Sequence, residues 1–132
     1  MNLPATTERV KEHTGDQVNR QIQQQTEFNI ENWKHRSDAD IKARITELER
    51  EWDTERVLET NASALMLTST VLGLTHNKKW FALSGLVSAF LLQHALQGWC
   101  PPLPIIRRLG VRTSSEIDDE KYALKYELQA RQ

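Results

Sequence analysis

The sequence predicts an all-α protein, in which a two-helix antiparallel transmembrane hairpin is flanked by amphipathic soluble or interfacial helices. Three observations predict it. Residues 60–106 carry only two charged side chains, Lys78 and Lys79, although 27% of the 132-residue chain is charged. Those lysines divide the stretch into two apolar arms, with 18 uncharged residues between Glu59 and Lys78 and 27 between Lys79 and Arg107. The flanks are polar but keep apolar residues at spacings of three and four behind helix-capping residues, the signature of helices with one buried face. The organisation that follows is a polar N-terminal helical region over 1–56 and a membrane hairpin over 57–100, with arms at 57–75 and 80–99. A Pro-rich interfacial segment over 101–113 and a C-terminal amphipathic helix over 114–132 complete it.

The N-terminal region opens with a short helix ending near Gly15. Thr14 and Gln17 fit a capping box for a second helix, on which Val18, Ile22, Ile30 and Trp33 form an incomplete apolar stripe. Ser37 caps a third helix, with Asp38 and Asp40 near its positive end. There Ile41, Ile45, Leu48 and Trp52 step by four, three and four, a seam for another helix of the fold or for a second copy of the chain. The remaining positions, including Arg44, Glu47 and Glu51, read as a solvated face. No Gly or Pro lies between Asp38 and Gly73, so this helix is expected to run into the first arm.

A spanning helix needs about 20 mostly apolar residues. The second arm, from Trp80 to Trp99, meets that length, whereas the first is shorter and holds Asn61, Ser63, Thr68, Ser69 and Thr70. Trp80 and Trp99 bracket the second arm where interfacial aromatics belong. Ser84 with Ser88, and Gly85 with Ala89, provide small residues for close helix approach and self-association. After the hairpin, Arg107 and Arg108 follow Ile105 and Ile106 as ligands for lipid headgroups. Arginines 44, 50 and 56 precede the hairpin and 107, 108 and 112 follow it, so both termini are expected on the cytoplasmic side. A last helix beginning near Ser114 or Ser115 presents Ile117, Leu124 and Leu128 on one face. The alternative architecture is a soluble helical bundle with the apolar arms as its core.

Composition narrows the chemistry. A net charge of −1 and a pI of about 6.4 argue against nucleic acid as a partner. Mean hydropathy of −0.59 averages polar flanks with an apolar middle. The single cysteine, Cys100, rules out an intrachain disulfide and a CxxC metal knuckle. Met1-Asn2-Leu3-Pro4 opens a polar run without a signal-like apolar region, so insertion is expected to come from the internal hairpin. No phosphate loop, serine triad or paired-carboxylate motif occurs, which weighs against an enzyme, and no cofactor or metal is expected.

One constellation carries chemistry. In an antiparallel hairpin the start of the first arm meets the end of the second, bringing Asn61 toward Gln93, His94, Gln97 and Cys100. A thiol beside an imidazole is activated toward the thiolate, which makes Cys100 with His94 the candidate reactive pair. The orienting carboxylate that such a pair uses is not evident from spacing. The structural alternative is that Asn61, Gln93 and Gln97 hydrogen-bond across the arms and set their packing. One cysteine and scattered histidines do not make a four-ligand metal set. Cys-Pro also occurs as a haem ligand, a weak signal by itself.

The Gly98-Trp99-Cys100-Pro101 run, closing two apolar helices joined by a tight turn, resembles the small inner-membrane domain of the YgaP-like family. The likeness covers about 57–110. It implies a bacterial inner-membrane protein that self-associates through its hairpin, with a tie to sulfur transfer. The chain departs from the rhodanese-linked form in holding no rhodanese domain and no separate nucleophilic cysteine, so only Cys100 could carry a persulfide. The functional expectation is a non-enzymatic membrane anchor that contacts lipid, forms a homo-oligomer and presents cytoplasmic helices to a protein partner. The alternatives are a thiol-handling or sulfur-relay membrane protein using Cys100 and a soluble helical-bundle adaptor.

Overall fold

The computed structural model describes residues 2–132, and every regular element among them is helical. The order is α1 (Arg9–Glu12), α2 (Asp16–Trp33), α3 (Asp38–Arg50), α4 (Thr54–Thr75), α5 (Trp80–Gln97), α6 (Leu103–Arg108) and α7 (Ser114–Ala130). Local chemistry accounts for most boundaries. Ser37 accepts a hydrogen bond from the Asp40 amide at the start of α3, and Asp53 accepts one from the Arg56 amide at the start of α4. Thr113 and Glu116 form a reciprocal capping box on α7. Gly98 ends α5 in the left-handed region at φ 87°.

Two expectations about boundaries are corrected. Thr14 does not cap α2, whose N-cap is Gly15; its hydroxyl is buried, donating to the Val10 carbonyl and accepting from Arg107. Nor does α3 run into the first arm. Glu51 is extended, and Asp53 starts a new helix by capping it, so the chain turns over 51–53. That turn leaves Trp52 exposed, stacked against the Arg56 guanidinium at 4.9 Å.

Two apolar cores result. Ile41, Ile45 and Leu48 of α3 pack on Ile117 and Leu124 of α7, with Trp33 at the end of α2 and Leu128 beside them. The seam read from the sequence is thus covered by a helix of the same chain. The second core joins Val10, Leu58, Cys100, Leu103 and Ile106 at the base of the hairpin.

Between the cores lies a buried ionic junction. Arg107 is 1% exposed and grips Glu116 through two bonds of 2.7 and 2.8 Å. Its remaining donors reach Thr14, Asn19 and the Val111 carbonyl, satisfying all five guanidinium N–H groups. Arg112 binds Glu51, Glu120 and Thr26, and Glu120 also accepts from Arg44. Arg107 is therefore a structural cation and not a lipid-headgroup ligand, while Arg108 is exposed. Arg44 and Glu51 leave the solvated face assigned to them for the same reason: buried partners on α7 and in the 109–113 loop claim their charges.

The arms pair closely as α4 and α5, an antiparallel hairpin joined through 76–79. Ser84 meets Thr70 across the hairpin at 3.2 Å, and Ser88 donates to the Met66 sulfur and its own Ser84 carbonyl. By length and composition, one helical stretch among the described residues is apolar enough to cross a membrane. It is Asp38–Thr75, comprising α3, the turn and α4, with a window of mean hydropathy 1.2 that is 17% buried. The second arm, expected to be the better span, does not join it. Its α5 is 18 residues long, and its last turn is made polar by Gln93, His94 and Gln97.

Candidate functional site

The base of the hairpin holds the chemistry. His94, on the last turn of α5, is 2% exposed, and its Nε2 lies 3.1 and 3.0 Å from the two carboxylate oxygens of Glu55 on the first turn of α4. Arg9 of α1 donates to the same carboxylate at 3.0 Å. The Glu55 carboxyl is held below its ordinary value, first by the His94 hydrogen bonds; burial opposes them, and Arg9 adds to the effect. An ionised Glu55 accepting from Nε2–H fixes the ring's orientation and leaves Nδ1 as its other reactive atom. That atom is buried and without a hydrogen-bond partner among the described residues. The neighbouring group that interacts with the ring is the Cys100 thiol, although no hydrogen bond of standard geometry joins them.

Cys100 is free and 4% exposed. Its place depends on Gly98, because a Cβ at that position would stand 2.3 Å from the Arg9 carbonyl oxygen. Glycine thus permits both the left-handed turn and the approach of α1, which carries Arg9 to Glu55. Carboxylate, imidazole and thiol are thus neighbours, the three groups that together orient a base beside a nucleophile.

Of the polar cluster expected from sequence, His94 neighbours Cys100, and Asn61 and Cys100 line one apolar groove, of which Gln93 and Gln97 are not part. Asn61 is exposed and returns its amide to the Val57 carbonyl, one turn back on its own helix. Gln97 is exposed and Gln93 half-buried, and neither has a side-chain hydrogen bond among the described residues. The orienting residue that sequence spacing did not supply is Glu55. It lies three residues before Leu58 on the inner face of α4. Continuing the level-matching argument down that inner face finds Glu55. Nothing local identifies Arg9, which arrives from 46 residues away.

The remaining assigned residues divide by exposure. Ile41, Ile45 and Leu48 are core, and Ser84 and Ser88 hydrogen-bond within the hairpin. Gly85 and Ala89 stay exposed, with open space where a Gly85 Cβ would stand. Trp80 is exposed at the turn, where its indole donates to His76, and Trp99 is half-buried at the base. No group of three or more His, Cys, Asp or Glu side chains suited to a metal ion occurs among the described residues. Comparison with protein-family models, curated proteins and solved structures finds no match.

Proposed function

We propose that this chain is a membrane anchor and interaction protein, with the α4–α5 hairpin in the bilayer and the α2, α3 and α7 unit presented at its surface. One observation carries the reading: the apolar side chains of the hairpin face outward instead of filling a core. Leu67 is 68% exposed and Leu74 76%, and Leu65, Val71, Leu86 and Leu92 are exposed with them. A soluble bundle with the arms as its core would bury these residues, and an exposed apolar surface of this extent requires a covering medium. The hydroxyls agree. Thr68, Thr75 and Ser88 each donate to a backbone carbonyl four residues back, so their hydroxyls need no water.

Arg108, Ile105 and Leu109 are exposed together at the base, where a headgroup layer would lie. A hairpin places both termini on one side, and the arginines flanking it favour the cytoplasm. The exposed Gly85–Ala89 strip is the surface for self-association. The likeness of the Gly98–Pro101 run to YgaP-like domains supports a bacterial inner-membrane location. The test is fractionation of the full chain through an alkaline carbonate wash. Retention in the pellet until detergent is added is expected; release into the soluble fraction would overturn the reading.

A second reading has its own observation. Glu55 supplies the orienting carboxylate for the His94–Cys100 pair, which favours a thiol-handling role at the membrane surface. Alkylation of Cys100 by iodoacetamide faster than that of a free cysteine, slowed in Glu55→Gln, is the expected result. A wild-type thiol that stays unmodified would remove it.

A further inference from the structure

A groove of about 470 Å³ runs between α4, α5 and α6, walled by Leu58, Leu65, Val87, Phe90, Leu91 and Ile105, and Cys100 forms part of its lining. Its size falls within the roughly 300–1,000 Å³ of small-molecule sites. Asn61 is the only other polar side chain in the lining among the described residues, and its amide is taken up by the Val57 carbonyl. The Pro101–Pro102 rim is exposed. Cys100 itself is 4% exposed. At the base of the hairpin, His94 Nδ1 and Arg9 Nε are both buried and unpartnered among the described residues. His94 Nδ1 is the atom to take the thiol's proton.

We infer that Cys100 is a site of S-acylation, with a long hydrocarbon chain lying in the groove between α4, α5 and α6 and an acyl thioester of coenzyme A as donor. The inference rests on the thiol-handling reading and names its substrate class. A sulfane sulfur needs no hydrocarbon slot, whereas a chain of methylenes fills one. A cysteine next to a membrane segment is also where reversible acylation occurs. In the step, the Cys100 thiol gives its proton to His94 and its sulfur attacks the thioester carbonyl carbon. The new sulfur–carbon bond forms at Cys100, the bond to the coenzyme A sulfur breaks, and the proton passes to that departing thiolate. The polar donor stays outside the exposed proline rim, and the chain supplies the binding.

The experiment uses the full chain in phosphatidylcholine vesicles, offered acetyl- or palmitoyl-coenzyme A, with intact mass and hydroxylamine release as readouts. Iodoacetamide alkylation is run in parallel. Expected is a hydroxylamine-labile palmitoyl adduct, absent in Cys100→Ser, forming at least about tenfold faster than the acetyl adduct. Filling the groove by Ala62→Trp should erase that chain-length preference while alkylation persists. Leu65→Trp, on the exposed wall, serves where Ala62→Trp does not fold. Alkylation without acylation, or acylation with equal rates for both donors, overturns the inference and leaves the thiol reading standing. Fatty acid released by organic solvent alone, with no thioester formed, also overturns it. A thiol inert to both reagents overturns the inference and the thiol reading together.

Discussion

Arg107 and Arg108 are adjacent, identical in type, and opposite in fate. On a helix, consecutive side chains point about 100° apart, so one arginine of the pair turns inward when α6 docks. Arg107 does, and finds Glu116, Thr14, Asn19 and the Val111 carbonyl. Truncating one partner of a buried pair strands the other charge, so Arg107→Ala should lower unfolding free energy by about 3–5 kcal/mol. Arg108→Ala should change it by less than about 0.5 kcal/mol. Denaturant midpoints of the two variants check this. The junction also sets an acid limit. For Glu116 and Glu120 burial pushes the carboxyl up, but the bonds from Arg107 to Glu116, and from Arg44 and Arg112 to Glu120, outweigh it, and both lie below the ordinary 4.5. A carboxyl lowered on folding contributes full stability above its unfolded value and loses it as pH falls through the folded one. Stability should therefore hold down to about pH 4.5 and decline below it in denaturation measured against pH, and the decline should shrink in Glu116→Gln.

Elements obey their local signals except where a distant charge or close approach intervenes. Ser37, the α7 start and the Ile41–Ile45–Leu48 stripe were legible because caps and periodicity are local. The break at 51–53 was not, since Glu51 leaves the helix to meet Arg112 from 61 residues away. The stripe shows what periodicity leaves open: it specifies a buried face but not the helix that covers it. Because α7 of the same chain does so, Leu48→Ala should cost about 2–5 kcal/mol and leave the oligomeric state unchanged. Denaturation and light scattering in detergent read the two effects. Gly98→Ala tests the base of the hairpin. A left-handed non-glycine residue costs about 1–2 kcal/mol before the clash with the Arg9 carbonyl is counted. Faster hydrogen exchange over residues 2–13 is the expected sign that α1 has been displaced, carrying Arg9 away from Glu55.

At the scale of the molecule, polar and apolar halves use opposite strategies. The α2, α3 and α7 unit packs Ile41, Ile45, Leu48, Ile117 and Leu124 inward and buries charges in pairs, whereas the hairpin turns Leu65, Leu67, Leu74, Leu86 and Leu92 outward. This contrast is what the proposed membrane reading rests on. An arginine at the centre of a spanning helix opposes insertion by about 2.5–3.5 kcal/mol, yet is nearly neutral on a wetted surface. Leu67→Arg should accordingly shift the protein out of the carbonate-resistant pellet while the polar unit unfolds at an unchanged midpoint. An unchanged pellet fraction would place Leu67 in water.

The all-α class, the two arms, their turn and the Ser37 cap could be derived from the chain alone, because they depend on composition and on neighbours within one or two helical turns. That Cys100 and His94 are neighbours was also legible, because they stand six residues apart at the end of one arm. Glu55 and Arg9 at that pair, the inward turn of Arg107 and the cover over the α3 seam were decided only by tertiary structure. Each depends on which face of a helix turns inward, and that choice is settled by residues tens of positions away competing for the same buried space and charge.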